Sequence, residues 1–167
     1  MTSKTAEGPR VHNGAYTVEH ASAGHFTVKL YTVGGASELT GRRILALLCG
    51  PNNERDWRGV AFWDDEQWRA RVWGRYSSDD RKQAIDGYTW GEKWTATEKK
   101  LAIWLDLVRR AYLFAEDGLK PREDGTSYWI GQGYTLLLEG RCVICNRRLT
   151  NPESIRLGIG PECRKTT

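Results

Sequence analysis

The sequence predicts an α+β fold: a small antiparallel sheet packed on one long helix, with a cysteine-bearing knuckle at the C-terminal end. Three observations predict it. Strand-length segments with period-two alternation, bounded by glycine, asparagine and aspartate, fill the first half of the chain. One segment, Thr95 to Phe114, repeats apolar residues at helical spacing behind a capping box. Three of the four cysteines fall within Arg141 to Lys165.

The 167 residues suit one domain with a small appendage. The expected division is a flexible tail at 1–13, an α+β domain at 14–127, and a hairpin with the cysteine module at 128–167. Eight tryptophans against three phenylalanines is an unusual ratio. Because the indole N–H wants a partner, several tryptophans are expected half-buried at edges. A net charge of +4 and a pI near 8.9 permit contact with nucleic acid without demanding it. No apolar run approaches the roughly 18 residues that span a bilayer. The N-terminal stretch has no signal-peptide core. A cytoplasmic protein without membrane contact is expected, in a compartment where thiols stay reduced.

Tyr16 to Glu19 and His25 to Val33 read as strands joined by a turn at Ala21 to Gly24. In the second, Phe26, Val28 and Leu30 fall on one face, and His25, Thr27, Lys29 and Tyr31 on the other. Ile44 to Cys49 is short, continuously apolar and bounded by glycines, which predicts a central strand. Cys49 is expected as a small core residue. Arg58 to Trp63 is a further strand, Asp64-Asp65-Glu66 a turn, and Gln67 to Arg75 a strand after it. In that last strand Trp68, Ala70 and Val72 oppose Arg69, Arg71 and Trp73. Ser77 to Asp80 reads as an N-cap cluster opening a short helix through Ile85, ended by Asp86-Gly87.

Thr95 and Glu98 have capping-box spacing. Leu101, Trp104, Leu105, Val108, Ala111, Tyr112 and Ala115 form one stripe of the helix they open. Lys99, Lys100, Arg109 and Arg110 lie mostly off it and are expected on a solvated face. Glu116 to Ser127 is the linker candidate. Tyr128 to Ile130 and Tyr134 to Leu138 flank Gly131-Gln132-Gly133 as a hairpin leading into the last stretch.

That stretch carries the clearest chemistry. Cys142 and Cys145 form a C-x-x-C pair, and Cys163 follows eighteen positions later behind Gly158-Ile159-Gly160-Pro161. Two thiolates in one tight turn can bind a single Zn²⁺ at roughly 2.3 Å. Asn151-Pro152 reads as an N-cap and first helical residue, so Asn151 to Leu157 is expected as a short helix that returns Cys163 to the pair. A closed zinc site needs a fourth ligand. Cys49, His25, His20, His12, Glu162 and water all stay open, as do a disulfide or three plain thiols.

The run C-x-x-C-N-R-x-L-T-x-P-x-S-I-x-x-G-I-G-P-x-C, from Cys142 to Cys163, resembles a short domain of unknown function taken to bind zinc. That domain ends many proteins of actinobacteria and their phages. Gly24 to Phe62 more weakly resembles a segment that accompanies it, through Leu48, Gly50, Pro51, Asn53 and Glu54. The resemblance implies a small metal-bearing fold. It implies no activity.

Two basic surfaces are candidates for DNA or RNA. One is the sheet face with Arg69, Arg71 and Trp73, where arginine and aromatic side chains alternate. The other is the rim of the cysteine module, with Arg147, Arg148, Arg156, Arg164 and Lys165. Phosphate-binding and dinucleotide glycine loops are absent, as are H-E-x-x-H and deaminase motifs. Asp64-Asp65-Glu66 and Asp79-Asp80 are the acids that could hold Mg²⁺ for a nuclease. The expectation is a zinc-stabilised, non-enzymatic protein contacting nucleic acid, with no small-molecule substrate. Two alternatives remain open. One is a phage-encoded factor that inhibits or redirects a host protein in the host cytoplasm, implied by the resemblance together with the tryptophan surplus. The other is a metal-dependent hydrolase.

Overall fold

The computed structural model describes residues 10–78, 84–87, 90–113, 132–138, 140–141, 145, 147–157 and 160–165, the side chains of 110–113 and 138 excepted. Five strands follow in order: β1 (Gly14–His20), β2 (Gly24–Thr32), β3 (Arg43–Leu48), β4 (Trp57–Asp64) and β5 (Arg69–Val72). A 3₁₀ turn (Gly74–Tyr76) and β6 (Ala84–Ile85) lead to α1 (Ala96–Leu113) and β7 (Tyr134–Leu138). The last segment holds β8 (Gly140–Arg141), β9 (Arg148–Leu149), α2 (Pro152–Leu157) and α3 (Pro161–Arg164).

The seven longer-range strands make one sheet in the order β6-β5-β4-β3-β2-β1-β7, every pair antiparallel. The apolar run Arg43–Leu48 is central in it, as its continuous hydrophobicity predicts. Helix α1 lies against one face and meets β7 at one edge and β5 and β6 at the other. Seven strands laid flat would measure about 29 Å across, whereas a helix is about 10 Å wide. The sheet therefore curls around α1. A bulge assists the curl: Leu45 pairs with Ala61 and Ala46 with Gly59, leaving Val60 as the extra residue.

Alternation decides which side chains enter the core. Tyr16, Val18, Val28, Leu30, Leu45, Trp63, Ala70, Val72 and Ile85 point at α1 and are buried with Leu101, Trp104, Leu105 and Val108. Trp104 sits at the centre, edge-on to Tyr16 at 5.8 Å and to Trp63 at 5.6 Å. The capping box forms: Glu98 N–H donates to Thr95 Oγ1 (3.2 Å) and Thr95 N–H to Glu98 Oε1 (2.9 Å). Glu98 is fully buried and also accepts from the Ser78 amide at 2.8 Å. Its carboxylate thereby fixes the segment before the helix as well as the helix start.

Several expectations are corrected. Val11, assigned to the tail, is 1 % exposed and packs in the core, and Arg10 pairs with Asp65 at 3.7 Å. Ile85 belongs to a strand rather than a helix, because it pairs with Ala70 and fills the core. The strand expected over Gln67 to Arg75 contracts to Arg69–Val72: Trp68 takes a positive φ of 53° at the preceding turn, and Gly74 starts the 3₁₀ turn. Arg109 is not solvated but 5 % exposed, donating to the Trp68 carbonyl at 3.4 Å. From Leu101 to Arg109 the helix is buried all round, wider than its apolar stripe. Tyr134–Leu138, assigned to the C-terminal unit, is the edge strand beside β1. Its proposed hairpin partner Tyr128 to Ile130, the linker Glu116 to Ser127, and Asp79-Asp80 lie outside the described residues.

Candidate functional site

The C-terminal segment docks on the sheet face that α1 leaves uncovered. Strands β8 and β9 pair through Gly140–Leu149 and Arg141–Arg148. Asn151 caps α2, its Oδ1 accepting from the amides of Glu153 (3.0 Å) and Ser154 (3.3 Å). Thr17 Oγ1 donates to the Thr150 carbonyl at 3.1 Å. Its single proton is then used, so the Thr27 hydroxyl must be the donor in the buried 2.9 Å contact between the two threonines. Arg156 grips both oxygens of Glu19 at 3.0 Å. This cover explains why Thr17 and Thr27 are buried although they alternate away from the core.

The loop from Gly50 to Asp56 holds β9 from its other side. Asn53 Nδ2 donates to the Arg148 carbonyl and Thr150 Oγ1 donates to Asn53 Oδ1, both at 3.0 Å. The Arg148 amide donates to Glu54 Oε1 at 3.3 Å. The loop itself is braced: Asn52 N–H donates to Asp56 Oδ2 at 2.8 Å, and Asn52 Oδ1 accepts from Glu54 and Arg55 amides at 2.9 and 3.0 Å. The Asn53 and Glu54 that the sequence associates with the cysteine segment thus form its docking clamp.

Between this loop and the C-terminal segment lies a hollow of about 780 Å³, lined by Pro51, Asn53, Glu54 and Arg148 and by both Cys145 and Cys163. Cys145 is exposed and in no disulfide, and Cys163 is half-buried. Cys142 lies outside the described residues. Among the described residues no three His, Cys, Asp or Glu side chains gather as a metal cluster. The donors that share the hollow, two sulfurs with Glu54 and Glu162, are of the soft and carboxylate types that Zn²⁺ accepts. Of the candidate fourth ligands, Glu162 lines it, whereas Cys49, His25, His20 and His12 do not. His25 lines a smaller neighbouring hollow of about 310 Å³ with Asn151 and Ser154. Cys49 is exposed rather than in the core, because the chain turns outward at Gly50, and its Sγ donates to the Asp56 carbonyl at 3.1 Å.

The part of this sheet face that no other described element covers, from β2 to β5, interleaves cations with aromatic rings. One row across the strands is Tyr31, Ile44, Phe62 and Arg71. Lys29 Nζ stands 5.4 Å from the Tyr31 ring centre and 5.2 Å from that of Trp57. The Arg42 guanidinium lies 3.8 Å over Phe62. Arg148, on β9, lies 5.7 Å over Trp57, where the docked segment borders the open face. Burial raises the Tyr31 phenol above its ordinary pKa.

The predicted basic residues divide. Arg69 and Arg71 are exposed on this face, and Arg71 pairs with Asp64 at 3.4 Å. Burial pushes the Asp64 carboxyl up, but hydrogen bonds from the Gln67 and Glu66 amides and the Arg71 guanidinium outweigh it, and its pKa lies below the usual value. Trp73 is not a free stacking platform. Its ring packs edge-on to Phe62 at 5.5 Å and covers Gly59, where a Cβ would come within 2.8 Å of it. The rim of the C-terminal segment is less cationic than its arginine content implies. Besides Arg156 with Glu19, Arg164 pairs with Glu153 at 3.6 Å and Lys165 with Glu162 at 3.7 Å. Arg147 and Arg148 line the hollow. Of the acids considered for Mg²⁺, Asp64 caps its turn, and Asp65 binds buried Arg43 and the Trp63 indole.

Sequence reasoning missed Arg42, Trp57 and Phe62 as members of the face. The alternation of Lys29 and Tyr31 away from the core was the signal that could have led to them, once β4 was paired with β3.

Residues 137–166 match the model of a family of unknown function, DUF6011. The match spans all three module cysteines and reaches back into β7. No curated protein and no solved structure matches the chain.

Proposed function

We propose that this chain is a zinc-stabilised, non-enzymatic binding protein that contacts nucleic acid through the open face of its sheet. The observation that carries the reading is the interleaving of Lys29, Arg42, Arg69 and Arg71 with Tyr31, Trp57 and Phe62 on that face, extended by Arg148. Cations at a phosphate's reach supply affinity, and rings between them supply contact with bases. Zn²⁺ has a structural role in this reading. Cys142, Cys145 and Cys163 would hold it, and the shared hollow of the latter two supports the grouping. When bound, the ion would tie the C-x-x-C turn to α3, and with them β9, which carries Arg148 to the edge of the face.

Elemental analysis of the purified protein, run beside a salt titration of its affinity for an oligonucleotide, tests both halves. The expected result is one zinc per chain and an affinity that falls steeply with salt. A metal-free protein, or binding that ignores salt, contradicts the proposal.

A protein partner is the second reading. Trp90 favours it: its ring is 43 % exposed and tilted against Trp94 at 5.8 Å. Exposed tryptophans of this kind anchor protein interfaces. A pull-down treated with nuclease separates the readings, since a partner that survives treatment is protein-borne.

A further inference from the structure

We infer that the nucleic acid this face takes is single-stranded, laid over β2 to β4 with bases on Trp57 and Tyr31; the inference rests on the proposed function. Three features of the face lead there.

The first is curvature. The sheet wraps α1, so the helix occupies the concave side and the open face is convex. A rigid duplex touches a convex surface at few phosphates, whereas a flexible strand can follow it.

The second is the depth of the rings. Tyr31, Trp57 and Phe62 are half-buried side chains of a sheet face. A duplex keeps its base faces in its own stack. Only an unstacked base can lie on a ring held in this way. Every base has a π-face, so such a platform favours single strands without reading sequence.

The third is the placement of charge. Of the strand residues that register puts on this face between β2 and β5, Asp64 is the one carboxylate, and Arg71 already neutralises it. Lys29 Nζ lies 5.4 and 5.2 Å from the Tyr31 and Trp57 ring centres, and the Arg148 guanidinium lies 5.7 Å from that of Trp57. A phosphate joining two bases stacked on those rings would meet Lys29. The guanidiniums of Arg42 and Arg148, already lying over rings, can themselves stack on bases.

The test uses the whole, unmodified protein in zinc-containing buffer. Its affinities for a labelled oligothymidylate and for a mixed-sequence duplex of equal length are measured by fluorescence anisotropy at roughly physiological ionic strength. The single strand is expected to bind at least about tenfold tighter, from one or two stacked bases. Trp57→Leu and Tyr31→Leu should each weaken single-strand binding by about fivefold to a hundredfold and leave duplex binding nearly unchanged. Duplex binding equal to or tighter than single-strand binding overturns this inference and leaves the proposed function standing. So does a folded variant of either kind, judged by circular dichroism, with full single-strand affinity. Binding to neither nucleic acid removes the proposed function and the inference together. The strand comparison needs no variant, so it decides even if both substitutions prevent folding.

Discussion

Asn53→Ala should loosen the C-terminal segment from the sheet without unfolding either. The side chain makes two hydrogen bonds to that segment, to the Arg148 carbonyl and from Thr150 Oγ1, each at 3.0 Å. Net worth per bond is about 0.5–1.5 kcal/mol, so their loss amounts to about 1–3 kcal/mol. The Asn53 carbonyl that accepts from the Trp57 indole at 2.8 Å is untouched, so β4 keeps its start. The change therefore falls on local opening of β9, whose equilibrium should rise about fivefold to a hundredfold. Native-state hydrogen exchange reads it directly. The Arg148 amide should lose protection by that factor, while amides of β3 and β4 keep theirs. Asn53→Asp should act more strongly, because it sets a carboxylate oxygen against the Arg148 carbonyl. Unchanged protection at Arg148 in the alanine variant would refute the clamp, and with it the idea that the loop positions the segment.

Three further outcomes follow from the same structure. Cys163→Ser and Cys145→Ser should each abolish stoichiometric zinc and release the C-terminal segment, since metal supplies about 10–16 kcal/mol to small zinc modules; retained zinc in either would remove that sulfur from the ligand set. Trp104→Ala should destabilise the fold by about 3–5 kcal/mol in urea melts, because it empties the space between Tyr16 and Trp63; a loss under about 1 kcal/mol would contradict its central place. Asp64→Asn should destabilise at neutral pH, with the gap to the parent closing as pH falls through about 4 and below. The sign follows from a folded pKa lowered below the unfolded one: the stabilisation is present above the unfolded value and lost as pH falls through the folded value. A gap that stays constant into acid would show that Asp64 pairing contributes nothing.

The sequence made the sheet legible where hydrophobicity and pairing agree. Val28 and Leu30, Leu45, and Ala70 and Val72 all fall on the buried side that alternation assigns them. Thr95 and Glu98 marked the helix start because a capping box is a local device. What failed depended on distant chain. Ala84–Ile85 looked like the end of a capped helix, yet the open edge of β5 took it as a strand. Arg109 looked solvated by periodicity, but Leu101 to Arg109 is enclosed all round. Arg156 looked like a free cation until the fold brought Glu19 to it across the sheet. For the candidate site, spacing alone singled out Cys145 and Cys163, and the structure lines one hollow with both. The binding face was half legible: β5 displayed its arginines, whereas Trp57 and Phe62 join Lys29 and Tyr31 only through the bulged register of β3 with β4.

The most direct measurement is the dependence of single-strand affinity on salt for the zinc-loaded protein. With four or five cations of the open face on phosphates, log affinity should fall linearly with log salt, with a slope of about −2.8 to −3.5. A slope near zero, or no measurable binding at low salt, would contradict the account at its centre.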